Sequence, residues 1–136
     1  MFGALVLKKA MHDKHGPTVE SRNAAELMHD WDENVTVTLM GNPPIVGKEA
    51  AITWEQAYFD TMADYHVASS HICVEKPAAI GFTNTVMLED TMEIERKDGR
   101  KHIIHEALSV DLVKGKVVAV RGYVADPDAE TVLLGG

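Results

Sequence analysis

The sequence of 136 residues contains a single cysteine, Cys73. No intrachain disulfide can form, which fits a reducing compartment. Cys73 lies in an apolar strand pattern, so it is read as a small hydrophobe and not as a nucleophile. Positive charge is also scarce: 13 Lys and Arg stand against 21 Asp and Glu, for a formal net charge of -8. That balance argues against nucleic acid or an anionic membrane surface as a partner. The apolar run in "MFGALVLKKAM" is too short to cross a bilayer. Lys8 and Lys9 follow that run, whereas a secretory leader carries its charge first. A cytoplasmic protein is expected. The chain has no glycine-rich phosphate loop, no Gly-x-Ser-x-Gly, no Cys–His pair and no His-Glu-x-x-His. Nucleotide binding, covalent acyl transfer and zinc chemistry therefore lack support. His12, His15, His29 and Asp30 are assigned to a solvated helix face, with no metal and no cofactor expected.

What is present is an ordinary globular composition, 46% hydrophobic and 25% charged. One domain over 1–136 can bury roughly two thirds of the unfolded chain's surface. Helical spacing predicts helices over 3–15, ended by Gly16-Pro17, and over 18–31, where Val19, Leu27 and Trp31 recur. The period then changes to two in "NVTVTLM", with Val35, Val37 and Leu39 on one face and Thr36, Thr38 and Met40 on the other. "GNPPIVG" reads as a loop. "KEAAITWEQAYFDTMA" reads as a third helix with Ala51, Trp54, Tyr58 and Met62 as its stripe. Strands are expected near 66–76, 80–96, 101–113 and 116–125, with hairpin turns at Lys97-Asp98-Gly99 and Lys114-Gly115. Helices followed by an antiparallel meander give an α+β class, with helices against one face of a curved sheet.

That order, with "GKEAAI" opening the third helix and "VKGKVVAVRGYV" ending the sheet, resembles the NTF2-like superfamily. More narrowly, it resembles the SnoaL-like polyketide-cyclase and ketosteroid-isomerase branch. The resemblance implies a cone-shaped α+β barrel, with three N-terminal helices packed on a curved antiparallel sheet around a deep apolar pocket. It also implies a homodimer. It does not choose a function, since the branch holds isomerases, cyclases, dehydratases, epoxide hydrolases and non-catalytic domains. The steroid isomerases' general-base Asp falls on Thr38 here, and their oxyanion-hole Asp on Leu108. The epoxide-hydrolase acids and arginine fall on Thr85, Met87 and Gly122. Neither chemistry is supported. The dehydratase-like branch pairs a His near the start of the second strand with an Asp from the first helical region. His66 and Asp13 occupy those regions here.

Three catalytic candidates result: His66, Glu106 and Asp13. If no bulge intervenes, His66 shares the parity of Ile72 and Val74 and points into the barrel, where an imidazole can move a proton. Glu106 shares a face with Ile104, Leu108, Val110 and Leu112. A carboxylate there is costly unless it is paired, protonated or open to a wet pocket. Three readings stand open: a pocket acid with a raised pKa, a salt bridge to Arg121, Lys101 or His102, or an outward Glu after a bulge. Candidate substrate contacts are Trp31, Thr38, Met40, Trp54, Tyr58, Phe82, Asn84, Leu108, Val110 and Val120. Asp90 shares the parity of Asn84 and Met92 and is read as marking a bend in a long strand. The expected activity is a cofactor-independent lyase or isomerase of a small apolar or aromatic molecule, dehydratase- or cyclase-like, using general acid–base catalysis. The alternative is a non-catalytic ligand-binding or dimerisation module. A dimer is expected through the outer sheet face, at Thr83, Thr85, Met87, His105, Ala107, Ser109, Ala119 and Tyr123.

Overall fold

The computed structural model describes residues 17–40, 42–76 and 83–125. The expected first helix, Asp13 and Phe82 lie outside the described residues. The described chain begins with a helical turn, α1, over 17–20, and continues through α2 (Ala24–Leu27) to strand β1 (Trp31–Leu39). Strand β2 (Ile45–Val46), helix α3 (Lys48–Phe59) and strand β3 (Met62–Val74) follow. Strands β4 (Asn84–Arg96), β5 (Lys101–Val113) and β6 (Lys116–Val124) are the last elements among the described residues. All six strands form one sheet in the order β2-β1-β6-β5-β4-β3. No described helix is long and apolar enough to cross a membrane.

Several expectations change in detail. The sheet is mixed, because β1 runs parallel to β6. The helix expected over 18–31 is broken: Arg22 takes a left-handed φ of 56°, the Asn23 side chain caps α2, and Trp31 already belongs to β1. Ile45–Val46 escapes from the proline loop as a two-residue strand paired to Thr36 and Val37. Helix α3 stops at Phe59, so Met62 is a buried strand residue and not the end of a helical stripe. Both hairpin turns form with positive φ, at Gly99 (90°) in the first and at Lys114 (52°) and Gly115 (82°) in the second.

Strands β4 and β5 pair without a register break from Asn84↔Leu112 to Glu95↔Lys101. Their alternation therefore stays in phase along the whole ladder. Even positions of both strands face inward, and odd positions face outward. Strand β3 behaves differently. Its pairing to β4 shifts between Met62 and Asp64 and again between Ser69 and His71. One extra residue at each shift, Ala63 and Ser70, inverts the side chains beyond it.

The core divides into two clusters. Tyr58, Phe59, Met62, Tyr65, Met92 and Ile104 belong to one. Met28, Val35, Ala51, Val86, Leu88 and Val110 belong to the other. Helix α3 spans both, with Ala51 in one cluster and Tyr58 in the other. The Gln56 side chain ties the segment before β1 to α3. Gln56 accepts from the Ala24 backbone N–H (2.9 Å) and donates to the Arg22 carbonyl (3.2 Å) and to Asp60 (2.9 Å). Gln56→Ala leaves two part-buried backbone groups without that partner. It is expected to cost about 1–3 kcal/mol of stability, read from the midpoint of urea unfolding at unchanged m-value.

Candidate functional site

A cavity of about 370 Å³ opens between the helices and the inward face of the sheet. Of the candidate substrate contacts, Trp31, Trp54, Tyr58, Leu108, Val110 and Val120 line it. Tyr65, Val67, Leu88 and Met92 line it as well. The volume falls within the ordinary range for small-molecule pockets, roughly 300–1,000 Å³.

His66 is not part of it. Its side chain is 62% exposed and lies 3.1 Å from the Asp64 carboxylate. The cause is the bulge at Ser70. Ile72 and Val74 are inward of the bulge's far side, but on its near side the inward positions are Tyr65, Val67 and Ser69. Parity counted back from Ile72 therefore puts His66 on the wrong face. Thr38 and Met40 are likewise on the outer side of β1, since Val37 and Leu39 line the cavity. Met40 instead accepts the Val124 N–H through its sulfur (3.3 Å). Asn84 is buried but acts as a clamp: it accepts from the Lys76 N–H (2.9 Å) and donates to the Lys76 carbonyl (2.8 Å). Asn84 therefore fastens β4 to the end of β3 and does not touch the cavity.

Glu106 lines the cavity and is 8% exposed. Its position opposite Asp90 in the β4–β5 ladder is fixed by the unbroken register. Directly opposed residues place their Cβ atoms about 4.5–5.5 Å apart. Asp90 is buried too, and it accepts from the Ser69 hydroxyl (2.5 Å). It thus belongs to the cavity and is more than a bend in a strand. A third acid, Glu55, descends from α3 into the same cavity. Glu55 lies between Ala51 and Tyr58 on the helix, so it enters at the seam between the two core clusters.

Of the partners weighed for Glu106, Arg121 points outward. Its guanidinium grips Asp111 through both nitrogens (2.8 and 3.0 Å) and donates to Ser109 (2.8 Å). That pairing lowers the Asp111 pKa, chiefly through the Arg121 hydrogen bonds. Among the described residues no cation is ion-paired with Glu106. Its pKa rises from 4.5 to about 8, first by burial and then by repulsion from Glu55 and Asp90. Burial alone raises Glu55 from 4.5 to about 7. Glu55 keeps some accessible surface, but that surface faces the cavity. Tyr58 is raised by burial and by both glutamates, so its hydroxyl stays protonated. That hydroxyl is buried and has no hydrogen-bond partner among the described residues. Its ring stacks with Trp54, centroids 6.2 Å apart, and lies under the Arg96 guanidinium at 5.5 Å. No group of three or more His, Cys, Asp or Glu among the described residues is arranged to hold a metal ion.

Sequence reasoning missed Glu55. The signal was present: residues 51, 55 and 58 share a helical face, so an acid there raises the same question as Glu106 on its strand.

No family profile matches the sequence. No curated protein matches it either. Solved structures do. An NTF2-like protein of unknown function from Burkholderia pseudomallei covers 100% of both chains at a TM-score of 0.70 and 11% identity. The fold is NTF2-like. A candidate SnoaL-like polyketide cyclase from Jannaschia sp. superposes at a TM-score of 0.71 and 12% identity, over 99% of this chain and 94% of its own. A protein of ketosteroid isomerase-like fold from Catenulispora acidiphila, in complex with trimethylamine, superposes at 0.64 and 12% identity, over 85% and 82%. At such identities the NTF2-like likeness is one of fold.

Because the folded pKa of Glu106 lies above its ordinary value, its neutral form is favoured in the folded chain. Its contribution to stability is complete below about pH 4.5 and is lost as pH rises toward about 8. Glu106→Gln removes that loss. Thermal melts should show the variant equal to the parent near pH 4.5 and more stable at pH 8 by roughly 1–4 kcal/mol.

Proposed function

We propose that the chain is a small-molecule lyase or isomerase that works by general acid–base catalysis between Glu106 and Glu55. One observation carries the reading. Two glutamates with no paired cation among the described residues face one apolar cavity, and both titrate near neutral pH. Acid–base groups work best when their pKa lies close to the working pH. Near pH 7.5 the Glu106 carboxyl keeps most of its proton and can donate it. The Glu55 carboxylate is mostly ionised and can accept one.

The substrate class that suits this pair is a compact, largely apolar molecule with an acidic C–H or a departing oxygen. Glu55 removes the proton from carbon. Glu106 donates to the oxygen on which charge develops, in a dry site where a single donor is strong. Trp31 and Trp54 supply flat walls, and Leu108, Val110 and Val120 close the apolar end. Burial and Glu55 do most to keep Glu106 protonated, and Asp90, anchored by Ser69, adds a smaller repulsion of the Glu106 anion. The dehydratase-like use of His66 is withdrawn, because its ring faces solvent.

The oligomer proposed is a homodimer through the outer sheet face, with a second copy of the chain as the occupant. Met87 (51% exposed) and Tyr123 (51% exposed) stand on that face around the Arg121–Asp111 pair, whose charges already cancel. An isologous contact can use such a surface. Light scattering at high micromolar concentration should give twice the monomer mass, and Tyr123→Glu should halve it.

Turnover is to be sought in a panel of aromatic and alicyclic ketones and hydroxyketones. The expected profile of kcat/KM is a bell that rises through about pH 7 and falls through about pH 8. Glu55→Gln and Glu106→Gln should each lower kcat by roughly 10²–10⁴-fold, while His66→Ala leaves it unchanged. Carbon-13 titration of the labelled glutamates tests the reading without a substrate. A Glu106 carboxyl titrating in the ordinary range would overturn it and favour the binding-module alternative.

A further inference from the structure

The cavity lining is charged in one sense only. Among the described residues it contains Glu26, Asp30, Glu55, Asp90 and Glu106 and no Lys, Arg or His. Glu26 and Asp30 are exposed, so they stand at the mouth, while Asp90 and Glu106 are buried. Arg96, which stacks on Tyr58, is not among the lining residues.

Two further features point the same way. Trp31, Trp54, Tyr58 and Tyr65 bring four aromatic side chains to the same cavity. Aromatic faces attract cations, and do so most strongly where water is excluded. Glu106 is only 8% exposed, lines the cavity and has no ion-paired cation among the described residues, so its carboxyl is open to a ligand N–H. A bare metal ion suits this site poorly, because the acids are not clustered tightly enough to chelate one. A large, weakly hydrated cation with an apolar body meets the acids and the rings together.

We propose that the ligand of this cavity is a small organic cation, an amine protonated or alkylated at nitrogen and carried on an apolar or aromatic body. The inference deepens the acid–base reading of the same site and rests on it. Acids at the mouth raise the local concentration of such a ligand and speed its entry. Inside, the ammonium ionises the carboxyl it meets. The neighbouring carboxyl keeps its proton, so binding itself arranges one base and one acid.

The experiment is titration calorimetry on the full chain at pH 7, with benzylamine and its neutral isostere ethylbenzene. Benzylamine is expected to bind at least about tenfold more tightly. Benzyltrimethylammonium, which cannot gain or lose a proton, is measured in phosphate and in Tris. The difference in heats should report release of roughly half to one proton per ligand. Glu55→Gln or Glu106→Gln, each first shown by its thermal melt to be folded, should weaken benzylamine binding about tenfold and abolish part of that release. Ethylbenzene binding as tightly as benzylamine, cation binding without proton release, or binding by neither probe would each overturn the inference. The two readings fail separately. If ethylbenzene binds best while the Glu106 carboxyl still titrates near 8, the cation is wrong and the acid–base pair survives. If Glu106 titrates in the ordinary range, the acid–base pair itself is wrong.

Discussion

Two acids face each other across a hydrogen-bonded ladder, and the rest of the site follows from that placement. Asp90 and Glu106 are opposite neighbours on β4 and β5, where the register runs without a break. Like charges so placed repel, and the repulsion is stronger where water is scarce. The chain does not relieve it with a paired cation at Glu106 among the described residues. The relief is protonation: burial first, then Glu55, and then Asp90 raise the Glu106 pKa toward neutral. A bulge that turned Glu106 to solvent would remove its burial and with it most of the effect.

The two apolar clusters give the pair its setting. Neither cluster fills the space between helix α3 and the sheet, and the acids lie at the seam. Large aliphatic residues at 90 and 106 would favour closure of the seam and a single continuous core. Short polar side chains keep it open, at a cost in stability that neutral carboxyls reduce. The helix crosses that seam because Ala51 allows close approach at one end and Tyr58 and Phe59 fill the other. Glu55 then has no direction to point but into the opening. Stability and reactivity here draw on the same few residues, as is common at functional sites.

Much of this was legible in the residues. The alternation of β4 and β5 holds over 13 residues each, and it placed Glu106 among inward aliphatic residues. The order of helices and strands pointed to the NTF2-like fold. Other parts were not legible, for local reasons. A bulge leaves no compositional mark in "DYHVASSHICVE", since serine serves as well in a regular strand as in a bulge, and His66 was misplaced by one position. The parallel pairing of β1 with β6 depends on contacts between the two ends of the described chain, which no short window contains. Thr38 followed the position of the steroid isomerases' catalytic Asp, although its own parity, shared with Met40, opposed Val37. Glu55 went unnoticed because its neighbours Trp54 and Tyr58 dominated the helical stripe.

The extra residue at Ser70 has an effect beyond the cavity. Strand β3 is one edge of the sheet and is 13 residues long, while the opposite edge, β2, has only two. A long, flat edge is a template on which other chains can polymerise. Here the shifts at Ala63 and Ser70 bend that edge, and the exposed Asp64 and His66 side chains are hydrogen-bonded along it. The Val67 N–H, which would otherwise be open to a new strand, is already taken by the Glu20 carboxylate at 2.9 Å. The irregularity that brings Tyr65 inward and leaves His66 outside also breaks the regular spacing of donors and acceptors that an incoming strand would need. Solubility at this border and the shape of the pocket wall are thus set by the same insertion, and neither can be altered by straightening β3 without disturbing the other.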